Sequence, residues 1–96
     1  MTDSYNITVV GLGYVGMSLA VLFARQHRVT ALDIDEKRVA RVNTGRPTVT
    51  DALMAEYMAS EELSLAAMTS PAEAYPDADF VIVATDDRLR PRKKLF

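Results

Sequence analysis

The sequence predicts an α/β fold on a parallel sheet of about four strands, part of a doubly wound arrangement. Three observations carry that expectation. An apolar run, Ile7-Thr8-Val9-Val10, leads into a glycine-rich turn, Gly11-Leu12-Gly13-Tyr14-Val15-Gly16, and then into a segment of helical periodicity. A second apolar run, Val29-Thr30-Ala31-Leu32, ends in the acid Asp33. A third, Phe80-Val81-Ile82-Val83-Ala84, is apolar without alternation, as strands buried on both faces of a parallel sheet are. Short apolar runs that alternate with helical segments read as β-α-β units.

Each element has its own local reason. The first strand covers about residues 6–10 and the first helix about 14–26, with Val15, Leu19, Leu22 and Phe23 at helical spacing on one face. Ser18 and Ala20 are small, as close packing on a sheet requires. The second strand is about 28–33. Asp35 reads as the N-cap of a helix over about 36–43, with Val39 and Val42 facing inward. Asn43-Thr44-Gly45 ends that helix, and Arg46-Pro47 continues the break through a loop at 46–50. Asp51 opens a third helix to about 59, with Leu53, Met54, Tyr57 and Met58 available for ordinary packing. Leu63 to Ala67 reads as a short strand. Ser70-Pro71-Ala72-Glu73 has the pattern of N-cap, first-turn proline and capping-box glutamate, and starts a brief helix through Tyr75. Asp77-Ala78-Asp79 is a turn before the last strand. The order is β-α-β-α-α-β-α-β.

Bulk properties narrow the function classes. Ninety-six residues fit one small domain, and a hydrophobic content of 49% is enough for a core. The net charge of −2 offers no basic face for nucleic acid apart from the extreme C-terminus. There is no cysteine, hence no disulfide and no thiol nucleophile in these residues. The start, Met1 to Asn6, has no basic region typical of a signal peptide, and the longest apolar stretch, around Ala20 to Ala24, is far short of a membrane span. The reading is a soluble, cytoplasmic protein with no membrane partner. His27 is the single histidine and reads as a helix-end or surface residue, so a metal site has no support.

The glycine turn carries the chemistry. Gly11 makes the tight turn out of the strand, Gly13 has no side chain and so lets a pyrophosphate approach the backbone, and Gly16 lets the helix pack close to the sheet. The helix that begins near Tyr14 aims its free N–H groups and positive dipole end at phosphate. Asp33 can accept hydrogen bonds from the adenosine ribose hydroxyls, and its charge repels a 2′-phosphate. Ile34, not an arginine, follows it, which favours NAD over NADP. Strand, glycine turn, helix, strand and acid in this order form the Rossmann-like dinucleotide-binding fingerprint. The bland alternative is a tight strand-to-helix turn beside a solvated aspartate.

Four stretches are more specific than the fingerprint. They are Ile7 to Ala20, Val29-Thr30-Ala31-Leu32-Asp33-Ile34-Asp35, Ala74-Tyr75-Pro76-Asp77-Ala78-Asp79 and Phe80 to Thr85. Together they resemble the N-terminal part of the UDP-glucose 6-dehydrogenase family, most of all its shorter, bacterial-type branch. The resemblance covers about residues 6–85. It implies an oxidoreductase that uses two NAD to oxidise a UDP-hexose to a UDP-hexuronate. It places Gly11, Gly13, Tyr14, Val15 and Gly16 along the pyrophosphate, Asp33 on the adenine ribose, Arg38 near the adenosine end and Thr85 near the cofactor. The partners implied are NAD and, in the full-length family, a UDP-sugar.

The same resemblance exposes two departures. The family's catalytic cysteine, lysine and asparagine, its sugar-binding residues and its dimer helix lie beyond residue 96, so no catalytic residue is assigned here. The chain is then expected to be inactive alone, and the last strand becomes a raw sheet edge through which copies could associate. The family also continues Ala-Thr-Pro-Thr and then Asp-Tyr-Asp-Pro-x-x-Asn-Tyr-Phe, whereas this chain reads Ala84-Thr85-Asp86-Asp87-Arg88-Leu89-Arg90-Pro91-Arg92-Lys93-Lys94-Leu95-Phe96. With codons chosen from the degenerate code, residues 87–96 can be encoded by the string GAC CGA CTA CGA CCC CGA AAA AAA CTA TTT. Read one base later, it gives Thr-Asp-Tyr-Asp-Pro-Glu-Lys-Asn-Tyr, the family's segment. The expected organisation is therefore an NAD-binding domain over 1–85 and a basic tail over 86–96, either out of frame or a natural charged arm. Two other functional readings stand beside the first: a freestanding nucleotide-binding module, and the N-terminal part of a different NAD-dependent oxidoreductase.

Overall fold

The computed structural model describes residues 4–84. The elements in chain order are β1 (Asn6–Val10), α1 (Tyr14–Ala24), β2 (Arg28–Leu32), α2 (Glu36–Asn43), α3 (Ala52–Ser60), β3 (Leu65–Met68), α4 (Pro71–Ala74) and β4 (Phe80–Val83). The four strands form one parallel sheet in the order β3-β2-β1-β4. The chain steps outward from β1 to β3, then returns past β1 to place β4 on the far side. This is the expected fold class and element order. The reversal of direction beside β1 is the switch point where open α/β sheets bind ligands.

Register assigns each face of the sheet. Val9 lies opposite Ala31 and Ile82, and Ala31 lies opposite Ala67. With Ile7 and Val29 these residues form the face on which α1 packs, feeding two apolar clusters. Met17 and Val21 join Leu12, Ala31, Val42 and Ala67 in one cluster. Ala20 and Ala24 join Ile7, Val9 and Val29 in the other. On the opposite face Thr8 is fully buried, and its hydroxyl donates to the Ala74 carbonyl at 2.8 Å, seating α4.

The buried face of α1 differs from the expected one. Gly16, Met17, Ala20, Val21 and Ala24 are buried, whereas Val15 and Leu22 are exposed and the helix stops at Ala24 instead of 26. The segment is apolar all round, so periodicity alone does not select a face. The need to bring small residues against the glycine turn and the sheet does.

The caps of α2 and α3 are as read from the sequence. Asp35 accepts from the N–H groups of Lys37 and Arg38, and Asp51 accepts from Met54 N–H. Gly45, just past the end of α2, has φ 83°, the left-handed conformation for which glycine is suited. Within α3, Met54, Tyr57 and Met58 pack on the core, but Leu53 is 77% exposed. Ser70 precedes Pro71 as the N-cap of α4, yet its side chain makes no capping hydrogen bond, so the expected capping box is not formed. The third strand starts at Leu65 rather than Leu63. The fourth is not a strand buried on both faces: Phe80, Val81 and Val83 are exposed, because β4 is an edge of the sheet. His27 lies beyond α1, where its Nδ1 accepts from Tyr5 N–H at 3.2 Å.

Candidate functional site

The site is assembled at the C-terminal ends of β1 and β2. Gly11 leaves β1 with φ 97°, and its N–H donates to Leu32 O at 2.8 Å, holding the turn against the end of β2. Gly13 is the N-cap of α1, and its carbonyl accepts from Met17 N–H at 2.9 Å. Gly16 faces back onto the turn, where a Cβ would overlap the Gly11 carbonyl. The first N–H groups of α1 have no partner within the helix, as at any helix start, and the positive end of its dipole lies beside the turn.

Asp33 lies at the end of β2 and is 7% exposed. Its Oδ2 accepts from Leu12 N–H at 2.7 Å and from Arg38 Nη1 at 3.3 Å, and its Oδ1 accepts from Asp35 N–H at 2.8 Å. Arg38 reaches it from the first turn of α2, which Asp35 caps. A groove of about 320 Å³ opens over this cluster, with Gly11, Gly13, Asp33, Ile34, Arg38 and Tyr75 among its walls. The arrangement combines a backbone turn suited to an anion, a carboxylate suited to a diol and an apolar wall suited to a flat ring.

The sequence-predicted residues divide in two. Gly11, Gly13, Asp33 and Arg38 converge on the groove, and Gly16 supports it from behind. Tyr14 and Val15 supply backbone N–H groups at the start of α1, but their side chains are each 60% exposed and do not line the groove. The Tyr14 hydroxyl instead donates to Asp51 Oδ2 at 3.4 Å. Thr85 lies outside the described residues. The sequence reading passed over Thr69, Pro71 and Tyr75, which close the groove from the β3–α4 side. It also passed over Thr48, whose hydroxyl donates to Leu12 O. Only the fold brings these residues to the turn, so no spacing signals them. Among the described residues no group of acids and histidines could hold a metal ion.

A groove at the switch point of a parallel sheet, with a glycine turn at a helix start and an acid at the end of the second strand, defines a dinucleotide-binding α/β domain. Residues 5–90 match the UDP-glucose/GDP-mannose dehydrogenase family, NAD binding domain, and the chain belongs to that family. It is 38% identical over 80 residues to a UDP-glucose 6-dehydrogenase of Streptococcus pneumoniae, covering 83% of this chain and 20% of the relative. A Campylobacter jejuni UDP-glucose 6-dehydrogenase is 36% identical over 82 residues, with 83% of this chain and 21% of that protein covered. Among solved structures, a UDP-glucose dehydrogenase from Pyrobaculum islandicum superposes with a TM-score of 0.74 at 30% identity, covering 86% of this chain and 20% of that one. A ternary complex of a Pseudomonas aeruginosa GDP-mannose dehydrogenase has a TM-score of 0.73 at 22% identity and shares the fold. The chain thus spans about a fifth of the length of the relatives it matches, and it corresponds to the NAD-binding N-terminal region of a family of oxidoreductases.

Proposed function

We propose that this chain binds the adenosine and pyrophosphate of NAD in the groove over Asp33, as the nucleotide-binding part of a UDP-glucose dehydrogenase. The observation that carries the reading is the Asp33 carboxylate, held at the mouth of the glycine turn by Leu12 N–H and facing the groove with Arg38. In this reading the ribose diol donates to Asp33, and the pyrophosphate lies on the N–H groups of Gly13, Tyr14 and Val15 at the start of α1. Gly16 keeps that helix start close to the turn. Arg38 shares Asp33 with the ribose and flanks the adenine, and Thr85 lies along the path toward the nicotinamide. Bound NAD supplies a hydride acceptor; the residues of this chain hold and orient it.

UDP-glucose is the proposed substrate because the two relatives cited, a pneumococcal and a Campylobacter protein, are named for it. No cysteine occurs in the sequence, so the thiol that the family resemblance calls for must come from polypeptide outside these residues. The proposed organisation is an NAD-binding domain over 1–85 followed by a tail that lies outside the described residues. The coding DNA around codon 86 tests whether that tail is out of frame. A cytoplasmic location fits the cysteine-free composition, and among the described residues no helix is long and apolar enough to cross a membrane. Titration calorimetry with NAD and NADP tests the site. The reading requires NAD to bind and NADP to bind more weakly; no heat with NAD, or equal affinity for both, overturns it.

A further inference from the structure

Leu12, between the two glycines of the turn, is wholly buried, and both ends of its backbone are held by side chains from distant parts of the chain. Its N–H donates to Asp33 Oδ2 at 2.7 Å. Its carbonyl accepts from the Thr48 hydroxyl. These two bonds act on different peptide planes. The Leu12 N–H belongs to the Gly11–Leu12 plane, so Asp33 sets that one. The Leu12 carbonyl belongs to the Leu12–Gly13 plane, whose other end is the Gly13 N–H. In a trans peptide the C=O and N–H point in opposite directions. Neither Leu12 nor Thr48 lines the groove, so a hydroxyl that fixes the Leu12 carbonyl toward the α2–α3 loop turns the Gly13 N–H the other way, and Gly13 does line the groove.

Thr48 is itself held. It follows Pro47, which is buried, and the Pro47 carbonyl accepts from Arg41 Nε at 2.9 Å. The loop between α2 and α3 is thereby tied to α2. Arg41, Pro47, Thr48 and Leu12 form a continuous path from α2 to the glycine turn. The Leu12 side chain sits in the cluster with Met17, Val21 and Val42, so the residue cannot rotate to relieve a lost bond without disturbing the core.

We propose that Thr48 is a positioning residue for the anion-binding turn: through the Leu12 carbonyl it aims the Gly13 N–H at the phosphate side of the groove. The inference rests on the reading of that groove as an NAD site. Its partner chemistry is a diphosphate ester, and its effect is on ligands that carry phosphate, not on the adenosine part.

The test uses the full 96-residue chain and the variants Thr48→Val and Thr48→Ser. Valine keeps the branched shape and loses the donor; serine keeps the donor. Calorimetry with NAD, ADP and adenosine should show Thr48→Val about three- to tenfold weaker for NAD and ADP, as expected for one neutral hydrogen bond. Adenosine should change by less than about twofold, and Thr48→Ser should restore NAD binding. Without ligand, the residual dipolar coupling of the Gly13 N–H, which reports its orientation, should change in Thr48→Val and stay normal in Thr48→Ser. Equal losses for adenosine and NAD, or an unchanged Gly13 coupling in Thr48→Val, overturn the proposal. If wild-type protein binds no NAD, the proposed function fails, while the Gly13 coupling still decides the role of Thr48. Should Thr48→Val not fold, Thr48→Cys, of similar size and with only a weak donor, carries the same comparison.

Discussion

A Cβ built on Gly16 would lie 1.7 Å from the carbonyl oxygen of Gly11 and 3.4 Å from the Cβ of Ala84. The first contact is with backbone, which cannot swing aside as a flexible side chain can. One position in α1 thus sets how closely the helix start approaches the turn that leaves β1. Gly11 cannot yield easily, because its N–H is bonded to Leu32 O and its φ is 97°.

The Gly16→Ala variant should therefore be strongly destabilised, although alanine is the better helix former. The propensity gain is about 1 kcal/mol. The overpacking cost is about 3 kcal/mol or more, since helix and turn must separate. At about 4–8 °C per kcal/mol for a domain of this size, the net melting temperature should fall by roughly 10 °C. Thermal unfolding followed by circular dichroism measures it. A variant as stable as the wild type would mean that α1 can move off the turn at little cost.

Asp33 should prove to be a residue with two jobs. It accepts from Leu12 N–H inside the protein, and in the proposed function it also accepts from the ribose diol. Removing it in Asp33→Ala should weaken NAD binding about tenfold or more, the scale of a charged hydrogen bond of roughly 1.5–3 kcal/mol. It should also narrow the gap between NAD and NADP, because the charge that opposes a 2′-phosphate is gone. Unlike a residue that only touches ligand, it should lower thermal stability in the absence of any nucleotide. Calorimetry and unfolding on one preparation separate the effects. Unchanged affinity for both nucleotides would sink the ribose assignment.

The chain supplied with NAD and UDP-glucose should form no NADH that can be followed at the nicotinamide absorbance. The family resemblance assigns the aldehyde-to-acid step to a thiol, and these residues contain none. Positioning of a substrate relative to its reaction partner is worth about 7–11 kcal/mol of barrier, and a nucleotide site alone does not provide it. Steady NADH formation by protein free of full-length enzyme would refute the prediction.

What was legible in the sequence was what local chemistry dictates. The turn after β1, the place of Asp33 at the end of β2 and the caps at Asp35 and Asp51 each follow from short-range rules and stand where expected. The buried face of α1 was not legible, because an all-apolar helix has no polar side to mark its outside. The edge position of β4 followed from the short span of the family resemblance and not from composition: Phe80 to Val83 carries the composition of a central strand, and its exposed side chains were not legible from that composition. At the site, Thr48 and Tyr75 reach the turn and the groove only through the fold. Ser70 has the letters of a capping box without the bond, a reminder that the motif states an option of the backbone.

The β3 edge of the sheet is capped by a side chain, and this yields the last prediction. On the β3 side, the Asn43 side chain donates from Nδ2 to Ala67 O at 2.9 Å and accepts at Oδ1 from Ala67 N–H at 2.8 Å. A side-chain amide from the last residue of α2 thus stands in for one residue of a further strand and blocks the edge. Replacing it in Asn43→Ala removes two neutral hydrogen bonds, which should cost about 1–3 kcal/mol. It also leaves the Ala67 backbone groups open to pairing with another chain. The variant should melt roughly 5–15 °C lower and should associate at concentrations where the wild type does not. Asn43→Gln, with the amide carried one methylene too far, should not restore the wild-type behaviour. Sedimentation velocity and thermal unfolding check both effects. If Asn43→Ala matched the wild type in both, solvent would be satisfying the β3 edge as well as the amide does, and the edge-blocking role would be withdrawn.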